Sequence, residues 1–81
     1  MKLPRDVSGA ELAKTLKVLG FRVTRQTGSH MRLTTSVGGE HHVTIPGHDP
    51  LRIGTFASIL DDVAAHFEIS RDELFARIKI N

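Results

Sequence analysis

Apolar side chains recur at helical spacing in the first quarter of the chain. A Ser8-x-x-Glu11 capping box opens this stretch, and apolar residues flank it at the positions of a hydrophobic staple. Most of the apolar positions that follow lie three or four residues apart, with charged residues between them. Gly20 then provides a common helix terminus. The pattern predicts a first helix with one face on a hydrophobic core.

Two more stretches with helical spacing lie near the C-terminus. In the first, an apolar stripe starts at Phe56 and continues at i+3, i+4, i+7, i+8 and i+11, and Thr55 is placed to cap the helix. A second capping box, Ser70-x-x-Glu73, opens the other stretch. We therefore predict a second helix that covers a sheet and a short last helix.

Between the first two helices, apolar and polar residues alternate, as is typical of half-buried strands. Three segments alternate in this way: residues 21–26, 30–35 and 40–45. Gly28 marks the turn between the first two, Gly38-Gly39 is a strong hairpin signal, and Pro46 ends the third. The pattern predicts a three-stranded antiparallel meander.

The order of the predicted elements defines a fold class. A helix, three antiparallel strands and a helix are followed by a short helical tail. Two helices on one face of a sheet leave the other face open, so we expect an α+β two-layer sandwich. The chain has 81 residues, and no linker, repeat or low-complexity tract divides it. One domain over residues 1–81 is therefore expected.

The open face of this sheet is predicted to carry cations, hydroxyls and imidazoles but no carboxylate. By strand alternation, its members are Arg22, Thr24, His30, Arg32, Thr34, His42 and Thr44. Arg25 falls on the opposite face with Phe21 and Val23, near the strand end, where its head can reach water. A surface that contacts phosphates would favour this selection, and an ordinary polar sheet face is the alternative.

The distribution of charge supports an anionic partner. The net charge is +2, but residues 1–39 hold seven basic and two acidic residues, whereas residues 40–81 hold four basic and seven acidic ones. Nucleic acid is the first candidate partner for the basic half. The chain lacks Trp and Tyr, which argues against an aromatic platform that stacks single-stranded bases.

Several classes of protein are disfavoured by composition. Without cysteine, the chain has no disulfide framework and no cysteine-based zinc site. No apolar run resembles a signal peptide or a transmembrane helix, so we expect a cytoplasmic protein with no membrane partner. Five histidines raise the question of a metal, but the adjacent His41 and His42 point opposite ways in a strand. We expect no metal and no cofactor.

His30 is the strongest candidate for chemistry. An imidazole has an ordinary pKa of about 6.5, so near neutrality it can accept or donate a proton. RNA cleavage needs such a group for the 2′-hydroxyl or the departing 5′-oxygen, and cations for the charged phosphorane. Arg32 or Arg25 could hold the phosphate, and backbone N–H groups at the Gly28 turn could donate further hydrogen bonds. An exposed turn histidine without a catalytic role is the alternative.

A series of short motifs occurs in order along the chain. They are Leu3-Pro4-Arg5, Ser8-Gly9, Leu19-Gly20-Phe21, Arg25-Gln26-x-Gly28-Ser29-His30, Val43-Thr44-Ile45-Pro46-x-x-His48 and Gly54-Thr55-Phe56-x-x-Ile59-Leu60. The ordered set resembles the HicA toxin family of bacterial toxin–antitoxin systems over about residues 3–60. The resemblance implies a fold like that of double-stranded RNA-binding domains. It also implies an endoribonuclease toxin that cleaves mRNA without a metal and is inhibited by a HicB-type antitoxin.

The resemblance also implies roles for single residues. The catalytic histidine of the family lies in Gly-Ser-His, which corresponds to His30. The motif histidine after the third strand corresponds to His48, and its role stays open between fold support and a second proton donor. Ser29 is a possible supporting residue. The composition of the predicted strands and the turn, and not the resemblance, gives the other expected roles: Arg22, Arg25 and Arg32 bind RNA phosphate, and Gly28 is the turn donor.

Two features depart from the family pattern. Residues 61–68 make the second helix longer by about one turn and more acidic than expected, and the His41-His42 pair inherits no role. A non-catalytic RNA-binding module of the same fold is the alternative function. It predicts RNA affinity that survives a His30→Ala substitution.

Overall fold

A computed structural model describes residues 3–4 and 6–79; Arg5 of the first motif lies outside them. The elements are α1 (Gly9–Leu16) with a 3-10 turn (Lys17–Leu19), β1 (Arg22–Thr27), β2 (His30–Thr35), β3 (His41–Pro46), α2 (Ile53–His66) and α3 (Arg71–Ile78). This order of elements confirms the α+β prediction. The described residues contain no helix long and apolar enough to cross a membrane.

The capping box at the start of α1 forms as predicted. The Ser8 hydroxyl accepts a hydrogen bond from the Glu11 N–H at 3.0 Å, and the Glu11 carboxylate accepts one from the Ser8 N–H at 3.2 Å. These two bonds satisfy N–H groups that have no partner within the helix. After the 3-10 turn, Gly20 takes a left-handed conformation with φ of 84°. The chain can therefore turn sharply into the sheet.

Helix α2 begins three residues earlier than predicted. Arg52 occupies the cap position with an extended backbone and no side-chain capping bond, so the prediction of Thr55 as the cap is wrong. The residue before this cap is bonded to the N-terminal segment, since the Leu51 N–H donates to the Val7 carbonyl at 2.8 Å. Helix α3 begins as predicted, with the Ser70 hydroxyl accepting from the Glu73 N–H at 3.1 Å.

The three strands form one antiparallel sheet in the order β1-β2-β3, as predicted. The pairing of β2 with β3 is regular and places His30 opposite Pro46 and Thr35 opposite His41. The pairing of β1 with β2 is interrupted by a bulge between Val23 and Arg25. This irregularity was not predicted, and it changes which face the second half of β1 presents.

The hydrophobic core lies between one face of the sheet and the helices. Its fully buried side chains include Leu33 and Ile45 from the sheet and Leu12, Leu60 and Leu74 from the helices. The predicted stripe on α2 is buried from Phe56 to Ala64, and Phe67 is half-buried. The opposite face of the sheet is not covered by the described part of the chain, as the two-layer prediction requires.

One buried polar side chain joins the sheet to the end of α1. Thr35 has no solvent exposure. Its hydroxyl donates to the Leu19 carbonyl at 3.0 Å and accepts from the Val37 N–H at 3.1 Å. Both bonds replace hydrogen bonds to water that burial removes. They hold the β2–β3 hairpin against the turn that leads into β1.

Candidate functional site

The bulge in β1 places Arg25 on the open face of the sheet. Thr24 is the extra residue, so Val23 lies opposite Leu33 while Arg25 lies opposite Arg32. Directly opposite residues of an antiparallel pair share a face. The prediction that Arg25 lies on the face of Phe21 and Val23 is therefore wrong, because simple alternation does not include the inserted residue.

The residues of the open face lie in three successive cross-strand rows. The row at the sheet end holds Thr27, His30 and Pro46; the next holds Arg25, Arg32 and Thr44; the third holds Arg22, Thr34 and His42. Neighbouring rows on one face are about 6.8 Å apart along a strand. The three arginines are exposed, and none forms an ion pair within the described residues. The imidazole therefore lies one row from a pair of cations with unused donors.

The pairing of Arg25 with Arg32 is unfavourable in the free protein. Like charges directly opposite each other in a sheet repel and lower stability by a fraction of a kcal/mol up to about 1 kcal/mol. A bound anion would remove this repulsion, because guanidinium groups donate hydrogen bonds to phosphate oxygens in a fixed fork. The opposed positions of the two cations thus lower the stability of the free protein but favour the binding of an anionic ligand.

The turn before His30 packs against the loop that follows β3. Gly28 has φ of 57°, a conformation that favours glycine, and it has no neighbour where a Cβ would project. Gly47 is different, because a Cβ there would collide with the carbonyl oxygen of Ser29. The backbones of the turn and the loop are therefore in close contact. The same loop is joined to α1, since the Gly9 N–H donates to the His48 carbonyl at 2.9 Å.

A cleft of about 320 Å³ opens between this turn and this loop. The start of α1 completes its wall, and the lining residues are Gln26, Ser29 and Met31 of the sheet end, Gly47, His48 and Asp49 of the loop, and Ser8 and Ala10 of the helix start. Ser29 and His48, both predicted as supporting residues, therefore meet in one cleft. His30 does not line it and lies in the end row of the open face, one residue beyond Ser29. The structure places the predicted site residues on two adjoining surfaces.

A chain of hydrogen bonds crosses the far end of the open face. Thr24 and Thr34 hydroxyls are 2.9 Å apart, and Thr34 Oγ1 lies 2.8 Å from His42 Nδ1. His42 Nε2 lies 3.0 Å from Glu40 Oε2. The prediction of an open face without a carboxylate is therefore wrong at this end. His30 lies two rows away, roughly 13 Å along the strand, so the Glu40 charge is remote from it.

His41 faces the helices, opposite to its neighbour His42, as strand alternation predicts. His41 Nε2 lies 3.0 Å from Asp62 Oδ2, and its ring stacks on that of His66 with centroids 4.5 Å apart. His66 Nε2 lies 2.9 Å from the Val37 carbonyl oxygen. This cluster was not predicted and ties α2 to the β2–β3 hairpin. In residues 3–4 and 6–79, no group of three His, Cys, Asp or Glu side chains could hold a metal ion.

The open sheet face and the segment from Asp61 to Glu73 differ in charge. The segment from Asp61 to Glu73 holds five carboxylates, and one of these, Asp61, forms a bidentate pair with Arg71 at 2.8 Å. The open sheet face holds three arginines instead. An approaching polyanion is therefore attracted to the open sheet face and repelled by the segment from Asp61 to Glu73.

These features define a small α-β-β-β-α domain with one open, cationic sheet face. A family model described as the HicA toxin of bacterial toxin–antitoxin systems matches residues 9–64, more than half of the chain. The chain therefore belongs to the HicA toxin family. It is a toxin of a toxin–antitoxin system, a class that implies an antitoxin partner. No curated protein and no solved structure gives a significant match to the chain.

Proposed function

We propose that this toxin is an endoribonuclease that cleaves mRNA without a metal, with His30 as a proton-transfer group. The observation that supports the proposal is the cross-strand register, which puts His30 one row from the opposed Arg25 and Arg32 on an open face. This arrangement offers a titratable group and two phosphate-binding cations to a single backbone phosphate of RNA.

The proposed reaction is attack of a ribose 2′-hydroxyl on the adjacent phosphorus. The 2′-oxygen–phosphorus bond forms while the phosphorus–5′-oxygen bond breaks. His30 accepts the proton of the 2′-hydroxyl or donates one to the departing 5′-oxygen. Arg25 and Arg32 bind the non-bridging oxygens, whose negative charge grows in the transition state, and the N–H groups of the Gly28 turn add further donors. Ser29 and His48 are candidates for supporting or supplying the second proton transfer.

The decisive experiment compares purified wild-type protein with His30→Ala and His41→Ala on a defined RNA. His41 is a matched control, because its imidazole lies on the helix-facing side and pairs with the exposed Asp62. We expect cleavage by wild type and His41→Ala in the presence of a chelator, with 2′,3′-cyclic phosphate ends. The folded His30→Ala variant should bind RNA without cutting it. Equal cleavage by all three proteins would refute proton transfer by His30.

A non-catalytic RNA-binding module is the second candidate function. It is favoured by one observation: the His30 side chain has no hydrogen-bond partner within the described residues. A catalytic base is commonly oriented by a third group. Wild-type protein that binds RNA but releases no fragments, and that does not degrade RNA when expressed in cells, would support the module and refute the nuclease.

The phosphate-binding role of Arg25 has an independent test. Arg25→Gln removes one of two opposed cations, so we expect weaker RNA binding together with equal or slightly higher stability. The slope of log affinity against log salt concentration should fall by about 0.7–0.9. Arg77→Gln, an exposed substitution on α3, is the control that matches the charge change. If both variants lower affinity equally, net charge alone accounts for binding.

The proposed antitoxin is a HicB-type protein that covers the open face. Three exposed arginines on that face would be complementary to an acidic surface. Covering them would exclude RNA without any contact to His30. We expect Arg25→Gln to weaken the complex and to increase its dissociation constant at low salt. An unchanged dissociation constant would place the antitoxin elsewhere.

A further inference from the structure

We infer that the cleft between the Ser29 turn and the Gly47–Asp49 loop binds a nucleobase of the RNA, with guanine preferred over uracil. The inference rests on the proposed function, since it takes the phosphate to lie on the open face beside His30. It assigns to the cleft the separate task of selecting a base next to the cleaved bond.

The bulge in β1 supplies the first argument. Without it, Gln26 would share the open face by alternation; with it, Gln26 lies opposite Met31 and lines the cleft. The same inserted residue turns Arg25 toward the open face. A single irregularity thus sends a phosphate-binding side chain to one surface and an amide to the other. Bulges commonly redirect side chains next to functional sites.

The size of the cleft supplies the second argument. Its volume of about 320 Å³ equals that of roughly ten water molecules at about 30 Å³ each. A single planar base fits such a space, whereas a base-paired stem does not. Ser29 lines the cleft and His30 follows it in the open-face row. An RNA strand that crosses the end of the sheet can therefore place a phosphate on one side and its base on the other.

The chemistry of the lining supplies the third argument. No lysine or arginine of the described chain lines the cleft, and Asp49 would repel a phosphate there. Gln26 and Asp49 form no side-chain hydrogen bonds within residues 3–4 and 6–79, so their polar atoms are open to a ligand. Met31 is half-buried and offers an apolar surface, and His48 offers an imidazole for stacking.

The Asp49 carboxylate and the Gln26 amide can distinguish bases by the N–H groups that each base presents. A carboxylate accepts two hydrogen bonds at once from adjacent N–H groups, and the Watson–Crick edge of guanine presents two such groups. Uracil presents one, between two carbonyl oxygens that a carboxylate repels. The Gln26 amide can donate to guanine oxygen or nitrogen acceptors. A good bidentate contact discriminates by about 1–3 kcal/mol, which corresponds to a preference of about fivefold or more.

The test uses short 2′-O-methyl oligonucleotides, which bind but cannot be cleaved. Oligouridine is compared with the same strand carrying one guanine, by calorimetry and by NMR of the Gln26 amide and the Met31 methyl group. We expect the guanine strand to bind at least about fivefold more tightly and to shift both resonances. Asp49→Asn should abolish the preference. Glu68→Gln, which makes the same charge change on an exposed residue outside the cleft, should retain it.

The outcomes separate this inference from the function on which it rests. If both strands bind equally and shift only resonances of the open face, the base subsite is refuted while the nuclease proposal stands. If the guanine strand shifts the cleft but His30→Ala still cleaves RNA, the subsite stands and the catalytic assignment fails. If neither strand binds, both proposals fail. A preference that Asp49→Asn leaves intact would also refute the subsite.

Discussion

Substitution of Gly47 by alanine is the sharpest test of how the loop after β3 positions the turn before His30. The added Cβ would collide with the carbonyl oxygen of Ser29, and it would lie only 3.3 Å from the carbonyl carbon. The obstructing atoms belong to the backbone, so no side-chain rotation relieves the contact. The loop and the turn must therefore move apart. This movement displaces His30, which is the residue directly after Ser29.

The expected cost follows from this geometry. Overpacking of a rigid site typically lowers the free energy of unfolding by about 1–3 kcal/mol. In a domain of this size, each kcal/mol corresponds to about 4–8 °C in the melting temperature. Gly47→Ala should therefore melt roughly 5–20 °C below wild type. Cleavage measured well below that melting temperature should also fall, because the turn that carries His30 is displaced.

Gly54→Ala is the matched control for the alanine substitution. Gly54 lies in the first turn of α2, and a Cβ there would meet nothing within 4 Å. Alanine is up to about 1 kcal/mol more favourable than glycine in a helix, so this variant should melt at or above the wild-type temperature. The assay is thermal unfolding followed by far-UV circular dichroism. Equal melting temperatures for Gly47→Ala and wild type would refute close packing of the loop on the turn.

Three further substitutions test the framework around the site by urea denaturation. Thr35→Val should lower the free energy of unfolding by about 1–3 kcal/mol, because it leaves the Leu19 carbonyl buried without a donor, whereas Thr35→Ser should cost less. Ser8→Ala should cost about 0.5–2 kcal/mol through loss of the cap, and no change would contradict the capping box. Asp62→Asn should change the free energy of unfolding by less than about 1 kcal/mol, because the Asp62 side chain in its pair with His41 is 53% exposed; a larger loss would show that the pair stabilises the hairpin.

Much of the fold could be predicted because its signals act over a few residues. The caps at Ser8 and Ser70 depend on a hydrogen bond between residues three apart, and both hydroxyls accept that bond; the reciprocal carboxylate bond of the predicted box is present at Ser8 and not, among the described residues, at Ser70. Gly20, Gly38 and Gly39 all have positive φ where turns were predicted. The strand limits agree within one residue, since alternation of side chains is a property of each strand alone.

The candidate site was predicted only in part, and the division has a physical cause. His30 and Arg32 share a face because they lie two residues apart in one strand, which the amino-acid sequence alone determines. The face of Arg25 depends on how β1 pairs with β2, and only the tertiary structure shows the inserted Thr24. Likewise, the segment that leads into α2 is bonded to a residue more than forty positions earlier, Leu51 to Val7, and only the tertiary structure shows this contact.

The cleft and the histidine cluster belong wholly to the tertiary structure. Gln26 and Asp49 line the same cleft only because the turn and the loop come together at one end of the sheet. His41 meets His66 only because α2 crosses the hairpin there. The spacing of residues along the chain does not predict the cleft or the histidine stack, since each depends on packing between distant elements. The sequence by itself therefore determined the elements, the turn and the position of His30, whereas strand register and packing decided which side chains surround it.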